Sequence, residues 1–278
     1  MEFSLINLGT ASAKPSVDKY PSAHVFNMRG RLFLVDCGEG AQVQMMRYGL
    51  SSFKMDHILI SHMHGDHVFG IFGLLSTMGM LGRTAPLTIY APRDFGSMLN
   101  FFLGHFGEGI KYEISHVVLG ATSPELICET RTADVYAFPL NHGIPTFGFL
   151  FREKWKTSPL APYPRYCRSA AYCSDTAWFP QLAEWVRGVD LLYHEATYTE
   201  DMREQAVERF HSTAAQAAQV AREAGVGRLI VGHFSSRYKN ADALLAEARA
   251  IFRETYAAQE GARFLVPLKK FTDTTVSK

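Results

Sequence analysis

The stretch that decides the fold is HILISHMHGDH, which runs from His57 to His67. Its first part is apolar and strand-like, whereas its last part places three histidines and one aspartate within six residues. Neutral imidazole and carboxylate oxygen are ligands that zinc accepts, and a set this dense can serve two metal ions if further ligands arrive from elsewhere. The alternative is a polar surface loop with chance histidines. It is disfavoured because crowded imidazoles repel one another when protonated.

The composition describes a globular chain. With 278 residues, of which 47% are hydrophobic, the chain can bury a full core. The longest apolar stretch, Val68 to Leu81, contains several small residues and predicts a buried helix that is too short to span a bilayer. The first residues show no basic segment of a secretory signal, so we expect a cytoplasmic protein with no membrane association.

Charge and cysteine content set two further bounds. The formal net charge is +1, so any nucleic-acid binding would have to use a local basic surface. The cysteines at positions 37, 128, 167 and 173 form no C-x-x-C pair and are predicted to be reduced thiols.

Hydrophobic periodicity and turn residues predict strands and helices in both halves of the chain. We predict strands at 3–8, 24–28, 31–36, 58–61, 87–91, 112–119, 126–130, 133–140, 146–151, 170–174, 191–194 and 228–231. Helices are predicted at 41–48, 68–81, 94–103, 178–187, 213–224 and 241–252. Mixed strands with helices in both halves indicate an α/β protein, a four-layer αββα sandwich of two sheets with helices outside. We find no linker, so residues 1–278 are expected to form a single domain.

Candidate metal ligands follow apolar, strand-like runs at four separate places, namely His62, His142, Asp175 and His233. The ends of strands are where α/β folds build their sites, because a rigid sheet holds the first residues of each loop. We therefore expect these four loops to meet at one site. The other histidines, at positions 24, 57, 105 and 116, are predicted to be structural.

The pattern H-x-H-x-D-H, followed by His142, Asp175 and His233, resembles the metallo-β-lactamase superfamily of binuclear metallohydrolases. The resemblance implies two Zn²⁺ per subunit, with Mn²⁺ or another divalent ion as the alternative. One ion would be held by His62, His64 and His142, the other by Asp66, His67 and His233, with Asp175 bridging both. Two such ions acidify a shared water and clamp the oxygens of the attacked group. Asp66 would serve as both ligand and proton acceptor.

Further motifs narrow this resemblance to short-form ribonuclease Z, the endonuclease family that trims the 3′ trailer from precursor tRNA. They are LGT at 8–10, LYHEATY at 192–198, HSTA at 211–214 and GHFSSRY at 232–238. The likeness covers nearly the whole chain apart from about residues 151–168. It implies products with a 3′-hydroxyl on the RNA body and a 5′-phosphate on the trailer. Members of the family are usually homodimers, so a homodimer is expected.

The family also implies a general acid. Its HEAT glutamate pairs with the histidine of the HST motif, and these residues are Glu195 and His211 here. A carboxylate raises the pKa of an imidazole, so His211 could donate a proton to the leaving 3′ oxygen. The alternative is that His211 only precedes the helix at 213–224, with Ser212 as its N-cap. Candidate phosphate contacts are the amide of Thr10, the hydroxyl of Ser235 and the guanidinium of Arg237.

Two stretches depart from the family pattern. Bacterial members carry a long arm that grips tRNA between the residues matching His142 and Asp175, but here the interval is only 33 positions (175 − 142). What remains, at 151–168, is rich in basic and aromatic residues, which suits either RNA contact or a Pro-rich surface loop. The loop after Thr10 keeps only Pro15 and Lys19 of the family's CCA-discriminating segment.

These departures leave other functions open. The first alternative is a metal-dependent phosphodiesterase that acts on small or non-tRNA substrates. The second is a catalytically silent RNA-binding protein on the same fold, which is disfavoured because all seven candidate ligands are present.

Overall fold

The computed structural model describes residues 2–155 and 166–268. In chain order the strands are β1 (Phe3–Gly9), β2 (Ala23–Met28), β3 (Arg31–Cys37), β4 (Met55–Leu59), β5 (Leu87–Ala91), β6 (Ile114–Val118), β7 (Glu125–Glu129), β8 (Ala133–Pro139), β9 (Phe147–Lys154), β10 (Tyr166–Cys173), β11 (Leu191–Glu195), β12 (Leu229–Gly232), β13 (Thr255–Ala257) and β14 (Arg263–Leu265). The helices are α1 (Ala41–Arg47), α2 (Gly65–Val68), α3 (Ile71–Met80), α4 (Phe95–Phe106), α5 (Leu182–Trp185), α6 (Arg203–Glu208), α7 (Ala214–Ala224) and α8 (Asp242–Ile251).

The strands form two seven-stranded sheets, ordered β14-β1-β2-β3-β4-β5-β6 and β13-β12-β11-β10-β9-β8-β7. In each sheet, four neighbouring strands run parallel, β3 to β6 and β10 to β13. Buried side chains from both sheets, such as Phe26, Phe149 and Tyr172, share one central core. Two further apolar clusters lie between the sheets and the outer helices. The predicted αββα sandwich is therefore confirmed.

The helix predicted over 68–81 is observed as α3, Ile71–Met80, and Val68 is instead the last residue of the short helix α2. α2 ends at Val68 and α3 begins at Ile71, so the chain turns at Phe69 and Gly70. The amide of Gly70 donates to the carbonyl of Cys37 at 2.8 Å. A Cβ added to Gly70 would lie 2.1 Å from the carbonyl oxygen of Gly38. The segment that follows the candidate metal loop therefore lies directly against the end of β3. This contact is between distant parts of the chain, so hydrophobic periodicity along one segment cannot predict it.

Two other predictions about helices need correction. The N-cap of α7 is Thr213, whose side chain accepts from the amide of Gln216 in a reciprocal capping box. The predicted cap, Ser212, instead donates its hydroxyl to the carbonyl of Thr176 at 2.7 Å. The helix predicted at 178–187 is reduced to α5, which has only four residues. The edge strands β13 and β14, with three residues each, are too short to show a periodic pattern.

Three remaining expectations concern membranes, thiols and the arm. Among the described residues, no helix has the length and apolar character needed to cross a bilayer. All four cysteines are buried free thiols.

Of the predicted arm remnant at 151–168, positions 156–165 lie outside the described residues. On either side of them, β9 and β10 pair as far as Lys154 and Tyr166.

Candidate metal centre

The predicted ligands lie together where strand ends of the two sheets meet. The loop after β4 carries His62 and His64, the helix α2 that follows it carries Asp66 and His67, and the loops after β8, β10 and β12 carry one ligand each. Their ligand atoms form two sets in which all atoms lie within 4.8 Å of one another: His62, His64, His142 and Asp175, and then Asp66, His67 and His233. The Asp175 carboxylate lies between the sets. One of its oxygens is 3.6 Å from Nε2 of His62 and the other is 3.5 Å from Nε2 of His67.

In the first set, three imidazole nitrogens converge. Nδ1 of His64 lies 3.1 Å from Nε2 of His62 and 3.3 Å from Nε2 of His142. Burial lowers the pKa of His62 well below its usual value, and positive charge on His67 lowers it further. Burial and the neighbouring His142 likewise lower the pKa of His64. Neutral imidazole is the form that binds a metal ion, so these nitrogens are ready to act as ligands.

Buried polar atoms without a partner lie in the second set and on the adjoining Asp175. Nε2 of His67, Nε2 of His233 and Oδ1 of Asp175 make no hydrogen bond within the described part of the chain. The two nitrogens lie 3.5 and 3.3 Å from that oxygen. A buried unsatisfied polar atom costs about 1–3 kcal/mol, so three of them facing one another call for a bound group. A divalent cation fits, because imidazole nitrogens and carboxylate oxygens are its ligands.

The Asp66 carboxylate completes this second set. Its Oδ2 lies 3.6 Å from Nε2 of His67 and 3.5 Å from Nε2 of His233. The same oxygen accepts a hydrogen bond from the amide of Ala13, in the loop after β1, at 2.8 Å. Burial raises the pKa of Asp66, but the charge on His67 and the nearby His233 ring outweigh burial and leave the pKa below its usual value. Asp66 is therefore ionised at neutral pH.

Each of four imidazoles uses its Nδ1 for a contact away from the centre. The partners of His62, His67, His142 and His233 are, in that order, Ser61 Oγ at 2.9 Å, Asp36 Oδ2 at 2.8 Å, the Phe210 carbonyl at 3.0 Å and Thr197 Oγ1 at 3.0 Å. Such outer contacts set the tautomer and orientation of a histidine ligand. They leave Nε2 of all four rings directed at the shared centre.

Asp36 is a functional residue that the sequence reasoning missed. Its carboxylate accepts hydrogen bonds from the amide and hydroxyl of Ser61, from the hydroxyl of Tyr172 at 2.7 Å and from Nδ1 of His67. The residue is fully buried and has a left-handed φ of 56°. The sequence does contain a signal for Asp36, because this acidic residue directly follows the apolar run Leu32–Val35. A charge at the end of a buried strand needs a partner, and such a residue is therefore a candidate for a functional contact.

Glu195 and His211 form a buried pair beside the centre. Oε1 of Glu195 lies 2.8 Å from Nδ1 of His211 and also accepts the amides of Thr176 and Ser212. Burial lowers the pKa of His211, but the Glu195 carboxylate more than offsets it and raises the pKa to about 9. The His211 ring lies 5.5 Å, centroid to centroid, from the rings of both His142 and His233. It therefore holds a proton beside the candidate ligands.

His211 also belongs to a third geometric set, with Asp175 and His233. Its Nδ1 is already occupied by Glu195, so at most its Nε2 faces the centre. The strong ion pair with Glu195 favours the protonated ring, which cannot bind a metal ion. The arrangement thus separates a proton donor from His62 and His64, whose lowered pKa values keep them neutral.

Of the candidate phosphate contacts, the amide of Thr10 is already hydrogen-bonded, whereas Ser235 and Arg237 lie together near the surface. Thr10 is buried, and its amide donates to the carbonyl of Tyr20 at 3.0 Å, so this amide is not available to a phosphate. Arg237 is exposed, and its guanidinium contacts Ser235 Oγ at 3.2 Å and Gln205 Oε1 at 2.9 Å. It also lies 4.9 Å from the centroid of the Tyr198 ring. Ser235 and Arg237 are thus held together at the surface.

An open cleft of about 540 Å³ leads to the centre. Its walls include Ser12, Ala13 and Pro15 from the loop after β1, together with Glu39, Phe69, Asp66, Asp175, His211 and His233. The candidate proton donor and both candidate metal sets are therefore reachable from one opening.

Comparison with known proteins gives the family. The sequence model for a family described as "Beta-lactamase superfamily domain" matches residues 31–234. Ribonuclease Z of Porphyromonas gingivalis is 39% identical, over 94% of this chain and 98% of that protein. Ribonuclease Z of Bacteroides thetaiotaomicron is 38% identical, over 98% of each. The chain belongs to the ribonuclease Z family of the metallo-β-lactamase superfamily. The resemblance inferred from the motifs is confirmed.

Solved structures agree with this family. The crystal structure of human tRNase Z, short form, has a TM-score of 0.79 and 27% identity, covering 95% of this chain and 100% of that one. The metallo-β-lactamase fold protein YhfI from Bacillus subtilis has a TM-score of 0.77, but at 19% identity it shows the fold alone. As a member of the ribonuclease Z family, the chain is a metal-dependent hydrolase, an endoribonuclease whose histidine and aspartate cluster is suited to divalent cations.

Proposed function

We propose that this ribonuclease Z family member is a tRNA 3′-processing endoribonuclease. It cleaves the 3′ trailer from precursor tRNA and leaves a 3′-hydroxyl on the tRNA and a 5′-phosphate on the trailer. The observation that carries the proposal is the Glu195–His211 pair, at 2.8 Å, beside a cluster suited to two cations. An alkoxide leaving group needs a proton, and this pair supplies one where the cluster alone would not.

The proposed cofactor is two Zn²⁺ per subunit, with Mn²⁺ as the alternative. His62, His64 and His142 would hold one ion, Asp66, His67 and His233 the other, and Asp175 would contact both. Two such ions would supply Lewis-acid chemistry, which would lower the pKa of a water molecule and neutralise charge on the phosphate oxygens. The partnerless atoms of His67, Asp175 and His233 support this assignment.

Two residues of the chain are proposed to donate and accept the protons of the reaction. Because Nδ1 of His211 is bonded to Glu195, Nε2 is the nitrogen left to donate to the departing 3′ oxygen. Asp66 is ionised and is the proposed acceptor of the proton released by the attacking water. The half-buried Ser235 and the exposed Arg237 are proposed to contact phosphate oxygens, which their position just after His233 supports.

The proposed substrate is precursor tRNA, although the arm is short. The alignment with the Bacteroides relative spans 314 residues and this chain has 278, so that relative contains at least 36 positions without a counterpart here. We propose that residues 1–278 form one domain and that 151–168 is a shortened arm remnant; the core shared by both sheets supports the first part. We also propose a cytoplasmic location, which the four free thiols support.

The direct test uses a precursor tRNA with a 3′ trailer and bis(p-nitrophenyl) phosphate as two substrates for the zinc-loaded protein. We expect cleavage of the RNA at the 3′ end of the tRNA body, with the ends mapped as 3′-hydroxyl and 5′-phosphate. Hydrolysis of the aryl ester without cleavage of the tRNA would instead support the alternative, a phosphodiesterase for small or non-tRNA substrates, whose motivation is the short arm.

The proposed assembly is a homodimer, supported by an apolar surface on α3 and α4. Here Phe72, Met98, Phe101, Phe102 and Phe106 line a groove of about 460 Å³, and Phe101 and Phe106 are largely exposed. Exposed apolar patches of this kind are typical of subunit interfaces. Light scattering during gel filtration should show a dimer, and Phe106→Glu should shift it to a monomer. A monomeric wild-type protein would contradict this assembly.

A further inference from the structure

Phe69 is an exposed aromatic residue at the wall of the cleft. Its side chain is 66% exposed, and it lines the same opening as Asp66 and His211. Its ring lies directly beside Gly65, because a Cβ added to that glycine would be 2.2 Å from a ring carbon of Phe69. Gly65 lies between His64 and Asp66, so the ring is next to two of the candidate metal ligands.

Phe210 is a second exposed aromatic residue at the centre. It is 42% exposed and has a left-handed φ of 55°, a conformation that is strained for a bulky residue. Its carbonyl accepts from Nδ1 of His142, and its ring centroid is 6.4 Å from the ring of His142. A Cβ added to Gly143 would be 3.8 Å from the Phe210 ring.

The two rings share an arrangement that packing of the core does not explain. Each lies against the glycine that directly follows a candidate ligand, Gly65 after His64 and Gly143 after His142. The rings of His64 and His142 are themselves only 5.1 Å apart, centroid to centroid. Exposed aromatic rings are the platforms on which unpaired nucleobases stack, and these two lie next to the catalytic groups.

We propose that Phe210 and Phe69 stack the two bases that flank the scissile phosphate. The proposal rests on the proposed function, since it needs an RNA substrate. Phe210 directly precedes His211, the donor to the 3′ oxygen of the upstream nucleotide, so Phe210 receives the base on that same ribose. Phe69 lies in the cleft with Asp66 and Pro15 and receives the first base of the trailer.

The first experiment measures kcat/KM of Phe210→Ala and Phe69→Ala on precursor RNA, together with the zinc content of each protein. We expect each variant to lose between about 5-fold and about 160-fold on RNA, the range for one base stacked on an aromatic ring. The zinc content should be unchanged. A loss of zinc in proportion to the loss of activity would show that the rings support the metal centre and would overturn the proposal.

The second experiment removes the base instead of the ring. An RNA with an abasic nucleotide just upstream of the cleavage site should react as slowly with the wild type as the normal RNA does with Phe210→Ala. Combining the abasic RNA with Phe210→Ala should slow the reaction no further. An RNA whose first trailer nucleotide is abasic should show the same non-additive behaviour with Phe69→Ala. Multiplicative losses from ring and base would mean that the two do not contact each other.

Two control variants complete the design. Phe210→Tyr keeps a stacking ring and should keep activity on RNA. Phe53→Ala removes a phenylalanine that is 47% exposed but precedes β4, at the opposite end of that strand from the metal loop, and should change nothing. A wild-type protein that leaves precursor tRNA intact overturns the proposed function and the stacking together. Wild-type cleavage with unaffected alanine variants overturns the stacking alone.

Discussion

Nδ1 of His211 lies 2.8 Å from Oε1 of Glu195, and the carboxylate is fully buried while the ring is 13% exposed at its side chain. A buried carboxylate therefore holds a proton on a ring that the cleft can reach. This relationship sets the proposed proton donor apart from the histidines that would bind metal, and it leads to the first two predictions.

Removing the donor should affect substrates according to their leaving groups. We expect His211→Ala to lower the turnover of precursor tRNA by a factor of about 10² to 10⁴, because the leaving 3′ alkoxide needs a proton. The p-nitrophenolate of bis(p-nitrophenyl) phosphate needs none, so its hydrolysis should fall much less. Steady-state rates on both substrates at equal zinc content decide this, and equal losses would mean that His211 has a structural role.

Removing the charge of Glu195 should move the alkaline limb of the pH profile. The carboxylate raises the pKa of His211, so the imidazolium persists as the pH rises. Glu195→Gln lowers that pKa, and the proton is then lost at lower pH. We expect the alkaline limb of kcat for RNA to shift to lower pH in Glu195→Gln. A limb at the same pH in both proteins would show that another group titrates there.

Asp36 should control metal affinity without being a ligand. Asp36→Asn weakens the acceptor for Nδ1 of His67 at 2.8 Å, and loss of such a contact costs about 10- to 100-fold in metal affinity. Competition with a chromogenic chelator measures the change. The exposed Asp242→Asn, at the start of α8, is the matched control and should bind zinc as the wild type does. Equal affinities in all three proteins would contradict the role of Asp36.

Metal removal should lower thermal stability. The buried atoms of His67, His233 and Asp175 lose their cation, and binding at about 100 times Kd contributes about 2.7 kcal/mol to the folded state. The melting temperature should therefore fall after chelation and recover when Zn²⁺ is added. Asp175→Ala should reduce this recovery strongly. A melting temperature that changes neither after chelation nor after addition of zinc would refute metal binding at this cluster.

Gly70 should tolerate no side chain. In Gly70→Ala, the new Cβ would lie 2.1 Å from the Gly38 carbonyl oxygen, and overpacking of this kind costs about 1–3 kcal/mol. Gly104→Ala in α4 meets nothing within 4 Å and should stabilise the protein by about 0.5–1 kcal/mol. Urea unfolding of both variants provides the comparison. A Gly70→Ala variant as stable as the wild type would mean that the loop moves aside freely.

Much of the fold could be predicted, because strands such as β3 and β5 are continuous apolar runs bounded by turn residues. The errors lie where distant segments meet. The break between α2 and α3 depends on Gly70 against Cys37 and Gly38, and the N-cap of α7 depends on Thr176 capturing Ser212. Local periodicity contains no information about either contact.

The kind of site could be predicted from residue order, because ligand residues that follow apolar strands have few other roles and the motifs match one family. How those residues are held depends on contacts that form only in the folded protein. In it, Asp36 accepts from Nδ1 of His67, the amide of Thr10 is already used, and Phe69 and Phe210 remain exposed beside the centre. Each of these facts depends on hydrogen bonds and contacts between segments far apart in the chain, which residue order does not encode locally.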